Sequence, residues 1–322
     1  MKSSVVITRG FEWRQLLGVL MAVCLSLFLI HRITTGIDIV EIGSLWKGLD
    51  RYRLGWLLLA TLLLIPNWVL EAVKLRVVLS QGRSGETSFI ICFKSVLSGV
   101  TLGIVTPARL GEYGGRMITF PKRKRAQVVG STLVTSLSQT IVTIGVGLIC
   151  GLVLLEEYQF LKIEWIGIIA FVSVGTLVVG LIYLPSLVQG ISRLRFFKDL
   201  DKTSAFDLSR SRLVKVLGIS FLRYSVYALQ FLLVLKALGV ELTVLGLLLH
   251  IPLIFLLQTL MPLPPITSLV GRASAAIVVL SQLGLSDFVI LSASSVLWVI
   301  NLVIPAFLGL GLIWRAVTPT ES

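Results

Sequence analysis

With two histidines, three cysteines and sixteen acidic residues in 322, the chain has little to support catalysis. Cys24, Cys92 and Cys150 each lie inside an apolar run and form no Cys-x-x-Cys pair. That spacing and the odd count exclude a disulfide framework and a cysteine metal site. They read as small buried hydrophobes. His31 and His250 do not suffice for a histidine zinc site. HExxH, Walker A, Gly-x-Ser-x-Gly and dinucleotide fingerprints are all absent. The expectation is a protein that is not an enzyme, uses no cofactor or metal and has no nucleotide-driven motor. Charged residues make up only 14% of the chain.

Apolar sequence is abundant instead. At 56% hydrophobic residues and a mean hydropathy of +0.96, the chain exceeds what a soluble core absorbs. The fold class that follows is an all-α polytopic integral membrane protein, read as one transmembrane domain over 1–322. The net charge of +13 sits mainly between apolar runs. There it reports orientation and contact with anionic lipid. No segment between runs is long enough for a basic soluble domain, so nucleic acid is excluded as a partner.

The runs can be taken in order. Leu16–Ile30 is a first span, uncleaved because His31-Arg32-Ile33 follows it where a signal peptide needs small residues. Leu54–Leu70 is a second, with Pro66 set to kink it, and it runs into Trp68, Glu71, Lys74 and Arg76. Two readings stand there: Glu71 and Lys74 pair on one helix face, or the segment is an interfacial helix end. Gln127–Leu155 spans next and holds Ser136, Ser138, Gln139, Thr140 and Thr143, groups suited to interhelical hydrogen bonds or to a polar path. Trp165–Leu184 spans, and 185–215 is a basic cytoplasmic loop whose Ile191–Leu200 part suits a membrane surface. Leu213–Leu238 spans with Arg223, Tyr224, Tyr227 and Gln230 inside it. An intramembrane arginine costs about 2.5 kcal/mol or more on insertion scales. Arg223 lies roughly 15 Å from the helix start, too deep to snorkel easily. Leu242–Leu260 is apolar and is broken by Pro262, Pro264 and Pro265 before Gly271-Arg272. The final span, near Phe288–Trp314, holds Asn301 and Pro305.

One run ends too early. The apolar stretch from Phe89 stops at Thr106-Pro107 and gives way to Arg109, Gly111, Glu112, Gly114, Gly115 and Arg116. Thr106 suits an N-cap and Pro107 a first helical position, which predicts a helix restarting there. Arg109, Glu112, Tyr113 and Arg116 then share a face roughly 100° wide. Broken helices with charged ends are tolerated at membrane depth only where they line a cavity or lie within protein. A water-facing basic loop over 106–125 is the plainer alternative.

These residues also carry a resemblance. Pro107, Arg109, Gly111, Glu112 and Arg116 after a glycine-rich apolar run resemble the signature of the lysylphosphatidylglycerol synthase transmembrane, flippase-like family, and the likeness runs from about Leu54 to Arg315. It implies a multi-pass protein of the bacterial inner membrane that moves a lipid between leaflets. The family's best-known members add an aminoacyl-transferring domain after the membrane part. None follows Arg315 here, so lipid synthesis by this chain alone is not expected.

Placing the N-terminus in the cytoplasm and folding 88–125 back as a hairpin puts most Lys and Arg inside, including Lys122–Arg125. This gives about six full spans and two broken hairpins, 88–125 from the inside and 242–283 from the outside. Each hairpin has a proline break and then a glycine-arginine helix start. Paired interruptions in opposite halves mark an inverted repeat with its site at mid-membrane. In the second copy Ala273-Ser274-Ala275 stands where the family commonly has an acidic residue.

The substrate-binding candidates are Pro107, Arg109, Gly111, Glu112, Arg116, Arg223, Tyr227 and Arg272. Arginines and a helix N-terminus suit phosphate. The expected function is translocation of a phospholipid or lipid-linked glycan with an anionic or zwitterionic headgroup. A small-solute secondary transporter, or a non-transporting partner of a lipid-modifying enzyme or glycosyltransferase, remain alternatives.

Overall fold

In the computed structural model the described residues are 50–80, 87–106, 109–157, 209–261 and 268–317, with Cys24, Leu27, His31 and Tyr183. Apart from Cys24, Leu27 and Tyr183, the expected spans Leu16–Ile30 and Trp165–Leu184 lie outside them, as do nearly all of the basic 185–215 loop and Pro107, Pro262, Pro264 and Pro265. Among the described residues the secondary structure is helical throughout, without a strand.

Helices α1 (Arg51–Leu62) and α2 (Leu64–Leu79) form one rod interrupted at Leu63. Pro66 accounts for the interruption: it has no N–H to offer the carbonyl four residues earlier, at Leu62. The rod continues past Leu70 to Leu79 and keeps Glu71 and Lys74 buried within the bundle, which corrects the reading of them as an interfacial end. Next come α3 (Phe89–Val105), α4 (Leu110–Ile118), a short turn at Lys122–Lys124 and α5 (Arg125–Glu157). The second set is α6 (Arg210–Ala237), α7 (Val244–Leu260), α8 (Ser268–Leu280), α9 (Asp287–Trp298) and α10 (Ile304–Val317). A π-helical turn, Val299–Val303, joins α9 to α10. It precedes Pro305, whose missing N–H would otherwise orphan the Asn301 carbonyl.

Four described stretches are long and apolar enough to cross a membrane: Arg51–Leu79, Lys122–Leu154, Arg210–Ala237 and Asp287–Ile313. Three apolar helices are shorter: Phe89–Ile104, Val244–Leu260 and Leu269–Leu283. The short ones fold against their neighbours. Ser95 on α3 donates to the Arg116 carbonyl on α4 at 2.8 Å, while Gly111 of α4 abuts the Leu102 carbonyl, so the two helices run antiparallel. A Cβ on Gly111 or Gly115 would collide with the α3 backbone, which explains the glycines of this hairpin.

The rod α1–α2 also runs antiparallel to α6. Arg53 lies against Gly239 and Gln230 donates to the Ala60 carbonyl at 3.0 Å, while further along Val78 packs with Leu213 and Val216. Gln127 of α5 reaches the Leu79 carbonyl at 3.4 Å. Both ends of the α3–α4 hairpin therefore sit at the Leu79 end of the bundle, near Lys122–Lys124. The main core joins α6 through α9 around Phe231, Leu247, Ile254 and Ile277, and a second packs α2 against α3 around Leu75, Cys92 and Val96. Between these two cores lies polar material.

Candidate functional site

The early end of α3 is where the site begins. Thr106 leaves the helix with extended backbone, and its Oγ1 accepts from the Gly111 amide at 2.7 Å while donating to the Leu102 carbonyl at 2.9 Å. Thr106 thus caps α4 as its residue type suggests, yet α4 begins at Leu110, three residues later than the sequence predicts. Arg109 takes the N-cap position in the left-handed region, φ 56°, the one non-glycine residue with positive φ among those described. This places its side chain on the polar cavity.

Behind Arg109 lies a network of charges. Glu112 meets Arg116 at 2.6 Å and Arg109 at 3.4 Å. Arg116 is buried, and its Nη2 also reaches Glu71 on α2 at 2.9 Å. Glu71 in turn holds Lys74 at 2.9 Å and Arg223 of α6 at 3.3 Å. Glu71 is the hub, contacting three cations from three helices. A charge this deep is tolerated only when paired, and here each carboxylate is shared between cations. Gly99 on α3 makes room for the Arg116 side chain, since a Cβ there would stand 2.7 Å from its Cγ.

Next to the network is a cavity of about 290 Å³. Arg109, Arg223 and Arg272 contribute to its wall, with Gln139, Thr140, Thr143 and Asn301 among the polar residues and Trp68, Tyr224, Tyr227 and Phe255 among the aromatic ones. The Arg223 guanidinium stands over the Trp68 ring at 5.6 Å and donates to Gln139 Oε1 at 3.3 Å. Arg272 donates to Tyr227 Oη and stands over its ring at 6.0 Å. Asn67 donates to Asn301 at 2.6 Å.

The candidate residues therefore occupy different places. Arg109, Arg223, Tyr227 and Arg272 line one cavity although they come from α4, α6 and α8. Glu112 stands one step behind Arg109, and Arg116 is a buried strut beside the cavity. Gly111 is a packing contact on α3. Pro107 lies outside the described residues. Sequence reasoning did not name Glu71, Asn67, Trp68, Gln139 or Asn301 as site residues. The available signal was polarity inside apolar runs, most clearly Glu71 after Asn67-Trp68. Among the described residues no three His, Cys, Asp or Glu side chains come together as a metal site requires.

A family model described as the lysylphosphatidylglycerol synthase TM region matches residues 15–315. No curated protein matches the chain.

Proposed function

Since the chain belongs to the lysylphosphatidylglycerol synthase TM-region family, we propose that it is a lipid translocase of the cell membrane, with its N-terminus cytoplasmic. A polar headgroup is held in the arginine-bearing cavity while the lipid crosses between leaflets. The observation that carries this reading is the cavity itself: three arginines and a polar wall inside a bundle of membrane-spanning helices. Such groups are expensive in hydrocarbon and mark a substrate path. A volume of about 290 Å³ suits a headgroup whose acyl chains remain in lipid. Movement of this kind needs binding and a change of access, with no bond made or broken.

An inverted repeat is part of the same proposal, and several paired contacts favour it. Gly147 of α5 abuts Pro252 and Leu256 of α7, and Gly309 of α10 abuts Leu97 and Thr101 of α3. Asn67 donates to Asn301 just as Arg223 donates to Gln139. Arg116, following Gly115, reaches Glu71, and Arg272, following Gly271, reaches Tyr227. Pairing α1–α2 with α6, α3 with α7, α4 with α8 and α5 with α9–α10 accounts for all of these at once. Asn67 and Arg223, Trp68 and Tyr224, and Gln139 and Asn301 then become equivalent pairs, and all six line the cavity. In repeat-built carriers the substrate site lies at the interface between the repeats.

The test is accessibility of a fluorescent phospholipid or polyprenyl-phosphate glycolipid in reconstituted vesicles. Wild-type protein should raise the rate of leaflet exchange above that of empty vesicles, and Arg109→Ala should abolish the gain at equal folded protein. Uptake of a small anion without lipid exchange would favour the solute transporter. Neither activity would favour a non-transporting partner.

A further inference from the structure

We infer that the cavity selects a phosphate group carrying two negative charges, a phosphate monoester or a pyrophosphate, and turns away headgroups bearing an amine. This rests on the cavity being the headgroup site. The network and cavity together hold Lys74, Arg109, Arg116, Arg223 and Arg272 against Glu71 and Glu112. Among the described residues, five cations against two carboxylates leave three positive charges uncompensated. Both carboxylates are already shared, Glu71 by three cations and Glu112 by two. Among the described residues no Asp or Glu lines the cavity.

Arg272 is where the excess is least compensated among the described cavity arginines. Its partners are the hydroxyl and ring of Tyr227, and no carboxylate pairs with it among the described residues. Helix α8, Ser268–Leu280, contains no Asp or Glu, so the helix that carries Arg272 supplies no counter-charge. Arg223 keeps Nε buried without an acceptor. Trp68 keeps a buried donor likewise, at Nε1, while Asn67 Oδ1 is an unmet acceptor and the Tyr224 hydroxyl can act as either. An ammonium group would meet three guanidinium groups and no free carboxylate. A dianion offsets more of the uncompensated charge than a phosphodiester can, and arginine forks match phosphate oxygens in pairs.

The shared chemistry, a phosphate dianion, can come from a lipid or from solution. The purified full-length protein is therefore titrated with short-chain phosphatidic acid, phosphatidylglycerol, phosphatidylethanolamine and lysylphosphatidylglycerol, and separately with inorganic pyrophosphate. The pH is kept above the second phosphate pKa of about 6. Phosphatidic acid should bind about tenfold tighter than phosphatidylglycerol, a step of about 1.4 kcal/mol, and the two amine-bearing lipids should show no saturable binding. Arg272→Gln should bring phosphatidic acid to the phosphatidylglycerol level, with Arg272→Lys intermediate; the lysine variant, which keeps the charge, serves if the glutamine variant does not fold. Amine-bearing lipids binding as tightly as phosphatidic acid would overturn the selectivity and leave the headgroup site standing. Pyrophosphate binding without any lipid binding would uphold the dianion and overturn the lipid reading. Unchanged selectivity in both folded Arg272 variants would overturn the assignment of Arg272.

Discussion

Glu71 on α2 lies 3.3 Å from Arg223 on α6, and this ion pair ties the two halves of the bundle together across the cavity wall. It is also the point where the buried network meets the cavity. Substitutions at Glu71 and Arg223 therefore separate what the network does for the fold from what the cavity does for a ligand.

Glu71→Gln is expected to be the most damaging single change in the network. It leaves Lys74 without its carboxylate and Arg116 with Glu112 alone, and breaking a buried pair costs about 3–5 kcal/mol. Glu112→Gln should cost less, since Glu112 stands nearer the cavity and serves two cations where Glu71 serves three. Thermal unfolding of both variants in detergent checks the order. Equal losses would remove Glu71 from the centre of the network.

Arg109 allows backbone and side chain to be tested apart. A residue other than glycine in the left-handed region is strained by roughly 1 kcal/mol. Arg109→Gly should therefore melt at or above wild type, and Arg109→Ala below the glycine variant. Both should lose headgroup binding, because both lose the guanidinium. A glycine variant that still binds would place the ligand contact elsewhere.

Part of the lining of this candidate site was legible in the sequence. The unfinished run at Thr106, the arginine deep in α6 and the glycine-arginine start of α8 each flagged a residue that lines the cavity. The role of Glu71 was not legible. Its spacing from Lys74 fitted a local pair and a helix end equally well, because nothing local says that α6 and α4 bring Arg223 and Arg116 to it. The start of α4 was missed for a related reason. Thr106 does cap the helix, but from five residues before Gly111, with Arg109 turned left-handed between them, and capping rules assume an immediate start.

Gly147 and Gly309 should respond alike if the halves share one plan. A Cβ on Gly147 would stand 2.6 Å from Leu256 Cβ and 3.0 Å from the Pro252 carbonyl oxygen, and on Gly309 it would run into the Leu97 carbonyl and Thr101 Oγ1. Alanine at either should destabilise by about 1–3 kcal/mol. Alanine at Gly151, whose nearest neighbour would be at an ordinary 3.6 Å, should be close to neutral. Circular-dichroism melts of the three variants decide it; a neutral Gly147 variant beside a damaged Gly309 variant would break the equivalence.

Single cysteines in a background without the native three report the sidedness. Positions 122 and 210 should label from the cytoplasm, since the first follows the hairpin and the second begins the helix that meets Val78. Positions 53 and 241, at the opposite end near Gly239, should label from outside. Labels on 122 and 210 from opposite faces would contradict the antiparallel rods.

The pairing within the network bears on how the protein is made. Glu71 and Lys74 are three residues apart, and Glu112 and Arg116 four, so α2 and α4 each carry acid and base together on one face as they leave the ribosome. They can enter the membrane as nearly neutral segments. Arg223 and Arg272 have no such companion on their own helices, and each faces an insertion penalty of about 2.5–3.5 kcal/mol. Arg223 is relieved only when α6 meets Glu71 on a helix synthesised long before it. The N-terminal half must therefore be in place and waiting as α6 arrives, and order of synthesis becomes part of what makes the C-terminal half insertable.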